Sequence, residues 1–350
     1  MQKTIHLIAL IILWLLSPSS TIAQDMTYEK ALKIFHLKEI AIPCKGNDSI
    51  YFLTTLPDAK KKTIIFCQGS GPVPLITTVP PGVYPPFPFS IDSATRKEFN
   101  IIIISKPGLK RFATPADISD ELLKKGQILQ LDSNNLPPEK YIANNKLAKL
   151  AGDCQAVIEY LKKQTWVDKD NIYLFGHSQG AVVAAYTAFK NQDKIKGLIY
   201  SQANAYGMYA EYLSTLLNRY PNAQDLNQKM DSIYNLQKEL LSGTQGGETY
   251  DKNTSRWSSL EEPPAIDYLL KTDIPILLIN GMASYGEMDN KNIPLDFIRH
   301  HKHNLTTKFY PGYDHNFFKQ VTDEKGNPSQ PEFHWDDIFN EVKKWIKEQK

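Results

Sequence analysis

A serine between two glycines is the residue best suited to chemistry in this chain. Ser178 stands in the pentapeptide Gly-His-Ser-Gln-Gly at 176–180, which fits the pattern G-x-S-x-G. The apolar run at 172–175 predicts a strand before it, and the small apolar residues at 181–185 predict a helix after it. Such a strand–turn–helix connection exposes the serine hydroxyl at the end of a sheet, where a helix N-terminus favours negative charge. Ser178 is therefore the candidate nucleophile.

A serine hydroxyl is a poor nucleophile until a base takes its proton, and His315 is the candidate base. It follows the last predicted strand, 306–310, within Pro-Gly-Tyr-Asp-His-Asn-Phe. His300, His301 and His303 cluster at the end of a predicted helix. No carboxylate or cysteine spacing typical of a metal site supports that cluster, so we interpret it as solvated surface and predict no metal.

With these motifs the chain resembles the α/β-hydrolase superfamily, in the branch of exported bacterial serine hydrolases with a helical cap. The resemblance extends over roughly residues 37–349, and the chain order of serine, acid and histidine is the one this superfamily uses. It implies a mostly parallel central sheet flanked by helices and a serine nucleophile. It also implies an oxyanion hole formed by the backbone N–H groups of Gln179 and Ser70. The loop Gln-Gly-Ser-Gly at 68–71 takes the place of the family's H-G-x-G loop, with Gln68 in place of histidine.

The acid of the implied triad departs from the family pattern. The family places an aspartate three residues after the glycine of a strand–H-G turn, and Ser284 stands at that position here. Asp289 precedes a segment that resembles the family's D-x-x-x-P with one extra residue. The resemblance therefore implies a shifted loop with Asp289 as the acid and Glu287 in reserve.

Short apolar runs alternate with helical patterns along the rest of the chain. Runs such as 63–67, 100–105 and 274–279 are typical of strands that are buried on both faces of a parallel sheet. Apolar residues at helical spacing predict one helix over 141–164 and a closing helix over about 335–348. This alternation also favours an α/β sheet that is flanked by helices.

Two segments interrupt the alternation. Seven prolines at 72–88 exclude a central strand or a long helix there. The segment 205–270 is too long for an ordinary connection between strands, and we interpret it as a mainly helical cap inserted between core parts at 24–204 and 271–350. The candidate walls of a substrate pocket are Tyr84, Phe87, Tyr206 and Trp257.

The first 23 residues have the pattern of a secretory signal peptide. Lys3 precedes an apolar stretch at 5–16, and Thr-Ile-Ala at 21–23 fits a small-x-small cleavage site. The apolar stretch is shorter than the roughly 20 residues that a membrane span needs. We therefore expect an exported protein, periplasmic or secreted, without a stable membrane anchor.

Composition excludes several classes of partner. The 350 residues carry a formal net charge of +2, which gives no reason to expect nucleic acid or an anionic membrane. There is no P-loop and no convincing dinucleotide fingerprint, so we expect no cofactor. Cys67 and Cys154 are interpreted as buried thiols, and a bridge between them stays open. The sequence gives no indication of the oligomeric state.

Three functions fit these observations. The first is an exported serine hydrolase that cleaves a small-molecule ester or a related acyl bond through an acyl-enzyme. The second is a serine peptidase of the prolyl-peptidase type, which shares the fold and triad but usually adds a large β-rich domain or an acidic site for a free amine. The third is a non-catalytic binding protein that retains the fold, and its only support is the missing aspartate at position 284.

Overall fold

The computed structural model describes residues 26–44, 48–79, 82–85, 87–118, 122, 128–131, 136–242, 263–284, 286–321 and 329–349. The predicted signal peptide at 1–23 lies outside the described residues. So do Trp257 and residues 243–262 of the predicted cap.

Thirteen strands are present in the described residues. They are β1 Leu37–Pro43, β2 Ser49–Thr55, β3 Lys61–Cys67, β4 Ile76–Val79, β5 Gly82–Tyr84, β6 Phe99–Ile104, β7 Phe112–Ala113, β8 Val167–His177, β9 Gly197–Ser201, β10 Ile276–Gly281, β11 Leu305–Tyr310, β12 Phe318–Lys319 and β13 Glu332–Phe333. Eight of them form the central sheet in the order β1-β2-β6-β3-β8-β9-β10-β11. Strand β2 pairs antiparallel with β1 and β6, and every later neighbouring pair is parallel. The predicted mostly parallel sheet is confirmed.

The helices of the described residues lie before, between and after the strands. They are α1 Tyr28–Ile34, α2 Ser93–Glu98, α3 Glu139–Asn144, α4 Leu147–Leu161, α5 Gln179–Lys190, α6 Met208–Arg219, α7 Leu226–Ser242, α8 Ala265–Leu270, α9 Ile293–Arg299 and α10 Trp335–Glu348. Two 3-10 turns, Pro115–Asp117 and Met288–Asn292, add to them.

The central sheet is buried on both faces. Successive side chains of a strand point to opposite faces, so that Leu174 of β8 joins one apolar cluster while Phe175 joins the other. The first cluster includes residues of α4, α5 and α8, and the second includes the apolar face of α10. This two-sided burial explains why the strands read as continuous apolar runs.

The predicted helix over 141–164 is wrong in one respect, because the chain contains two helices there. Helix α3 ends at Asn144. Its C-cap residue Asn145 has a ψ of +60°, which departs from helical values, and α4 begins at Leu147. The Asn145 side chain is fully buried and hydrogen-bonds Tyr141 and Gln179. The break therefore places a polar side chain inside the protein, where a continuous amphipathic helix would place an apolar one.

The two irregular segments are distinct from the central sheet. Strands β4 and β5 form a small separate sheet with β7, as expected for a proline-rich segment. Helices α6 and α7 follow β9, within the segment at 205–270 that we interpret from the sequence as a cap. In the part of the chain that the structure describes, no helix has the length and apolar character to cross a membrane.

Candidate active site

The turn from β8 to α5 holds Ser178 in an unusual backbone conformation. Its φ of +56° and ψ of −132° lie in a region that residues with a side chain seldom adopt. The neighbouring glycines make this turn sterically allowed. A Cβ atom on Gly176 would lie 2.3 Å from the Gly180 carbonyl oxygen, and one on Gly180 would lie 1.9 Å from the Cys67 carbonyl oxygen. The turn therefore presses against the end of β3 and exposes Ser178 at the carboxyl edge of the sheet.

The loop after β11 brings His315 to the same edge. Its imidazole centroid lies 5.2 Å from that of His177, the residue before the serine. Gln202 holds this loop in place by donating from Nε2 to the Asp314 carbonyl oxygen at 2.6 Å. No hydrogen bond joins Ser178 to His315 among the described residues, and such pairs are often loose until substrate is bound.

The acid beside His315 is Glu287. Its Oε1 atom accepts a hydrogen bond from His315 Nδ1 at 2.7 Å, and its side chain is only 2% exposed. The ranking that favoured Asp289 is therefore corrected. Asp289 instead accepts from the Ser214 hydroxyl of α6 at 2.5 Å and from Asn204 at 3.3 Å.

Glutamate has a longer side chain than aspartate, so the acid can lie farther along the loop and still reach His315. Ser284 is at the position where the family has aspartate, and Glu287 reaches the histidine from three residues farther on. The loop is folded so that Asn280 donates to the Glu287 carbonyl oxygen at 3.4 Å and accepts from Asn290 at 2.8 Å. These buried amides set the loop path, which sequence spacing alone does not reveal.

The His315–Glu287 pair shifts the pKa of both partners. Burial alone would lower the pKa of His315, but the Glu287 carboxylate, with smaller contributions from Glu211 and Asp314, raises it to about 9. Burial would likewise raise the pKa of Glu287, but His315, aided by the Ser284 hydroxyl, keeps it below its usual range. Glu287 therefore stays ionised and stabilises a protonated imidazole.

The loop at 68–71 borders the serine on the other side. A Cβ atom on Gly69 would lie 3.2 Å from Ser178 Cβ, so the backbone passes directly beside the serine. No acceptor binds the Ser70 backbone N–H among the described residues. Gln179 is the first residue of α5, whose initial N–H groups have no acceptor within the helix. The two backbone groups predicted to form an oxyanion hole are thus close to Ser178 and available.

The predicted pocket residues have different surroundings. Phe87 is buried in the apolar core, with its ring centroid 5.7 Å from that of Phe89, so its assignment as a pocket wall is corrected. Tyr84 packs against a small cluster that includes Val79. Tyr206 donates its hydroxyl proton to Asp296 at 2.6 Å.

Sequence reasoning missed Glu211, which lies on α6 in the predicted cap. A Cβ atom on Gly286 would lie 2.9 Å from Glu211 Oε1, so this carboxylate packs against the loop that carries Glu287. It also contributes to the raised pKa of His315. No local motif marks Glu211, because only the folding of the insertion brings it here.

Cysteines and metal ligands form no further centre in the described ranges. Cys67 and Cys154 are both buried free thiols. A hydrogen bond with Cys67, together with burial, raises the pKa of Cys154. Among the described residues, no group of three or more His, Cys, Asp or Glu side chains is arranged to hold a metal ion.

Comparison with known proteins gives one family match. Residues 140–241 match the model of a family described as serine aminopeptidase, S33. This segment contains the Ser178 turn, and it covers less than half of the chain. No curated protein sequence matches the chain.

Solved structures resemble the fold at low sequence identity. A putative dipeptidyl aminopeptidase IV from Bacteroides ovatus is 11% identical at a TM-score of 0.53, and the match covers 90% of this chain and 36% of that chain. Dipeptidyl peptidase 4 from Porphyromonas gingivalis is 11% identical at 0.51, covering 90% and 35%. The ferulic-acid complex of Est1E from Butyrivibrio proteoclasticus is 17% identical at 0.50, covering 89% and 98%. This chain therefore spans little more than a third of the two peptidases.

The fold and the family match agree with the resemblance seen in the sequence. The mostly parallel sheet flanked by helices is an α/β-hydrolase fold, and the matched family belongs to the serine hydrolases of that type. Both peptidases and Est1E share this fold, so the likeness does not identify the substrate of this chain.

Proposed function

We propose that this protein is a serine hydrolase that cleaves an ester or a related acyl bond through a covalent acyl-enzyme. The observation that carries the proposal is the 2.7 Å hydrogen bond between His315 and the buried Glu287, at the sheet edge where the Ser178 turn lies. A nucleophile, a base and an acid that orients the base are the groups that acyl transfer requires.

In the first half of the reaction, His315 Nε2 takes the hydroxyl proton while Ser178 Oγ attacks the acyl carbon. The carbonyl oxygen becomes an oxyanion, which the N–H groups of Ser70 and Gln179 stabilise. When the tetrahedral intermediate collapses, His315 returns the proton to the departing alkoxide. Glu287 keeps the imidazole in the required tautomer throughout and does not take up the proton.

In the second half, water replaces the alcohol. His315 Nε2 accepts a proton from water, whose oxygen attacks the acyl carbon of the ester at Ser178. Collapse of this second intermediate breaks the bond to Ser178 Oγ, which regains its proton from His315. The products are a carboxylic acid and the free enzyme.

The ionisation of His315 gives a pH prediction. Only the neutral imidazole can act as a base, so kcat/KM falls as the pH drops through the pKa of His315. Because Glu287 raises that pKa to about 9, we expect the midpoint of the acidic limb well above 6.5, toward pH 9. A pH series of initial ester-hydrolysis rates at low substrate measures this midpoint. A midpoint at or below 6.5 would contradict the electrostatic assignment.

Glu211 favours a second candidate, an aminopeptidase. A carboxylate near His315 suits a substrate with a free ammonium group, and the matched family is described as a serine aminopeptidase. The binding-protein alternative loses its only support, because Glu287 supplies the carboxylate that Ser284 lacks.

A substrate panel distinguishes the ester and amide candidates. We expect p-nitrophenyl acetate, butyrate or octanoate to be hydrolysed with a kcat/KM at least about 100-fold above that of aminoacyl p-nitroanilides. Amides are the less reactive substrates, and no described residue other than Glu211 is identified as an amine-binding group. Comparison of free and N-acetylated anilides tests the role of an ammonium group directly.

The variant Glu211→Gln separates the two candidates further, with Glu341→Gln on α10 as the matched control. Under the ester proposal, both variants retain ester hydrolysis within a few-fold of wild type. Faster turnover of free aminoacyl anilides than of esters, abolished by Glu211→Gln alone, would replace the ester proposal by the aminopeptidase.

The N-terminal sequence supports a proposal for where the enzyme acts. The signal-peptide pattern at 1–23 supports an exported enzyme, periplasmic or secreted, that meets its substrate outside the cytoplasm. Mass analysis of the mature N-terminus after expression with its own leader tests this proposal, with cleavage before Gln24 as the expected result. An intact N-terminus on an active intracellular enzyme would contradict it.

A further inference from the structure

The carbonyl groups of the loop beside Ser178 are held by two buried side chains. Lys106, two residues beyond the end of β6, donates from Nζ to the carbonyl oxygens of Gly69 and Gly71. The Tyr141 hydroxyl of α3 donates to the intervening Ser70 carbonyl oxygen at 2.5 Å. Lys106 is 6% exposed and Tyr141 is fully buried. Three consecutive carbonyls of one loop thus have side-chain donors.

Because the peptide group is planar, the contacts of these carbonyl groups also determine the direction of the neighbouring N–H groups. In a trans peptide the C=O of one residue and the N–H of the next share a plane and point in opposite directions. The bond from Lys106 to the Gly69 carbonyl therefore directs the Ser70 N–H away from Lys106. The peptide unit that carries this N–H begins at Gly69, which borders the nucleophile, because a Cβ atom on Gly69 would lie 3.2 Å from Ser178 Cβ.

The same cluster contacts the residue that supplies the second oxyanion donor. Gln179 donates from Nε2 to Asn145 Oδ1 at 3.1 Å, and Asn145 donates from Nδ2 to the Tyr141 hydroxyl at 2.8 Å. That hydroxyl in turn donates to the Ser70 carbonyl. A continuous chain of buried hydrogen bonds therefore connects the loop at 68–71 to the first residue of α5.

Stability alone does not account for these polar groups. Removing a lysine ammonium from water is costly even when it is hydrogen-bonded, and an apolar side chain of similar size would fill the space without that cost. The backbone also adapts to the cluster. Gly108 has a φ of +85°, and a Cβ atom there would lie 2.4 Å from the Tyr141 backbone nitrogen. Glycine is thus required for the Lys106 loop and α3 to come together.

We propose that Lys106 and Tyr141 are positioning residues of the oxyanion hole, which fix the Ser70 N–H in the direction that meets the developing charge. The inference rests on the proposed serine-hydrolase function. Neither residue touches the substrate, and both act through the peptide groups of the loop. Preorganised donors stabilise a transition state because they need not reorient during the reaction.

Two substitutions test the proposal, Tyr141→Phe and Lys106→Met, which remove the donors and retain most of the volume. Loss of one complete oxyanion donor lowers kcat by about 100- to 1,000-fold, so a misoriented donor should lower kcat by about 10- to 100-fold. We expect the KM for a p-nitrophenyl ester to change by no more than about threefold. The inhibition constant of an alkyl boronic acid, whose serine adduct is tetrahedral and anionic, should rise in proportion to the loss in kcat.

Matched controls separate positioning from general damage. Tyr173→Phe removes a core tyrosine hydroxyl from β8, and Lys61→Met removes a buried lysine that donates to the Arg96 carbonyl at the opposite end of β3. We expect both controls to retain wild-type kcat and boronate inhibition, even where the melting temperature falls. If Lys106→Met does not fold, Tyr141→Phe against Tyr173→Phe decides the question.

The outcomes for the inference and for the function are distinguishable. An active wild-type enzyme with a folded Tyr141→Phe variant of unchanged kcat and boronate affinity would overturn the positioning role alone. Equal kinetic losses in the controls would overturn it too. A wild-type protein that neither reacts with a fluorophosphonate nor hydrolyses any ester or amide would overturn the proposed function and this inference with it.

Discussion

Replacing Ser178 by alanine is expected to abolish covalent labelling by a fluorophosphonate and to lower kcat for ester hydrolysis by about six orders of magnitude. Ser178 Oγ forms the bond to the acyl carbon. Without it, direct attack by water on the substrate is expected to be far slower. The oxyanion donors and the binding site remain, so a small rate above the uncatalysed reaction persists.

The alanine variant should stay folded, because alanine keeps the Cβ atom that the turn already accommodates beside Gly69. Intact-protein mass spectrometry of the labelled enzyme, ester kinetics and a melting curve together measure the effect. Ser232→Ala, at an exposed serine of α7, is the matched control and should label and turn over normally. A Ser178→Ala variant with half of the wild-type activity would remove Ser178 from the mechanism.

Replacing Glu287 by glutamine is expected to lower kcat by about two to four orders of magnitude near neutral pH. The change keeps the size of the side chain and removes the charge that stabilises protonated His315. Since Glu287 raises the pKa of His315, the acidic limb of the residual activity should also move to lower pH. The pH dependence of kcat/KM in both enzymes measures this shift.

Asp289→Asn is the matched comparison for the acid. Asp289 accepts hydrogen bonds from Ser214 and Asn204, so its substitution should affect the packing of α6 and change kcat by less than about tenfold. The opposite result, a large loss of kcat in Asp289→Asn with near-wild-type kcat in Glu287→Gln, would identify Asp289 as the acid. Near-wild-type activity in both variants would exclude a triad altogether.

The features that sequence predicted are those set by local patterns. A strand buried on both faces is mostly apolar along its length, and a turn as tight as that at 176–180 must contain glycine. Both signals are visible in the sequence around Ser178. The loop after the last strand lies at the carboxyl edge of a parallel sheet whatever its details, so His315 could be placed without knowing its contacts.

The acid could not be placed in this way, because its position depends on a loop path set by buried side-chain amides, one of which bonds to Ala203, a residue distant in the sequence. Asn290 donates to the Ala203 carbonyl at 2.8 Å and to Asn280, and these bonds turn Glu287 rather than Asp289 toward the histidine. The aromatic character of Phe87 likewise did not show whether it lies in a pocket wall or in the core, and it lies in the core. Lys106 follows a predicted strand directly. Its charge was visible in the sequence, but the periodic patterns that predict helices and strands assign it no role.

The positive φ of Ser178 also has a consequence for natural variation at this position. A non-glycine residue in such a conformation costs about 1–3 kcal/mol, whereas the added freedom of glycine in the unfolded chain costs at most about 1 kcal/mol. A glycine at 178 would therefore give an inactive protein of equal or greater stability. Under selection for stability alone, mutation would tend to replace this serine. A serine in this strained turn is what selection for a reaction at the hydroxyl would produce.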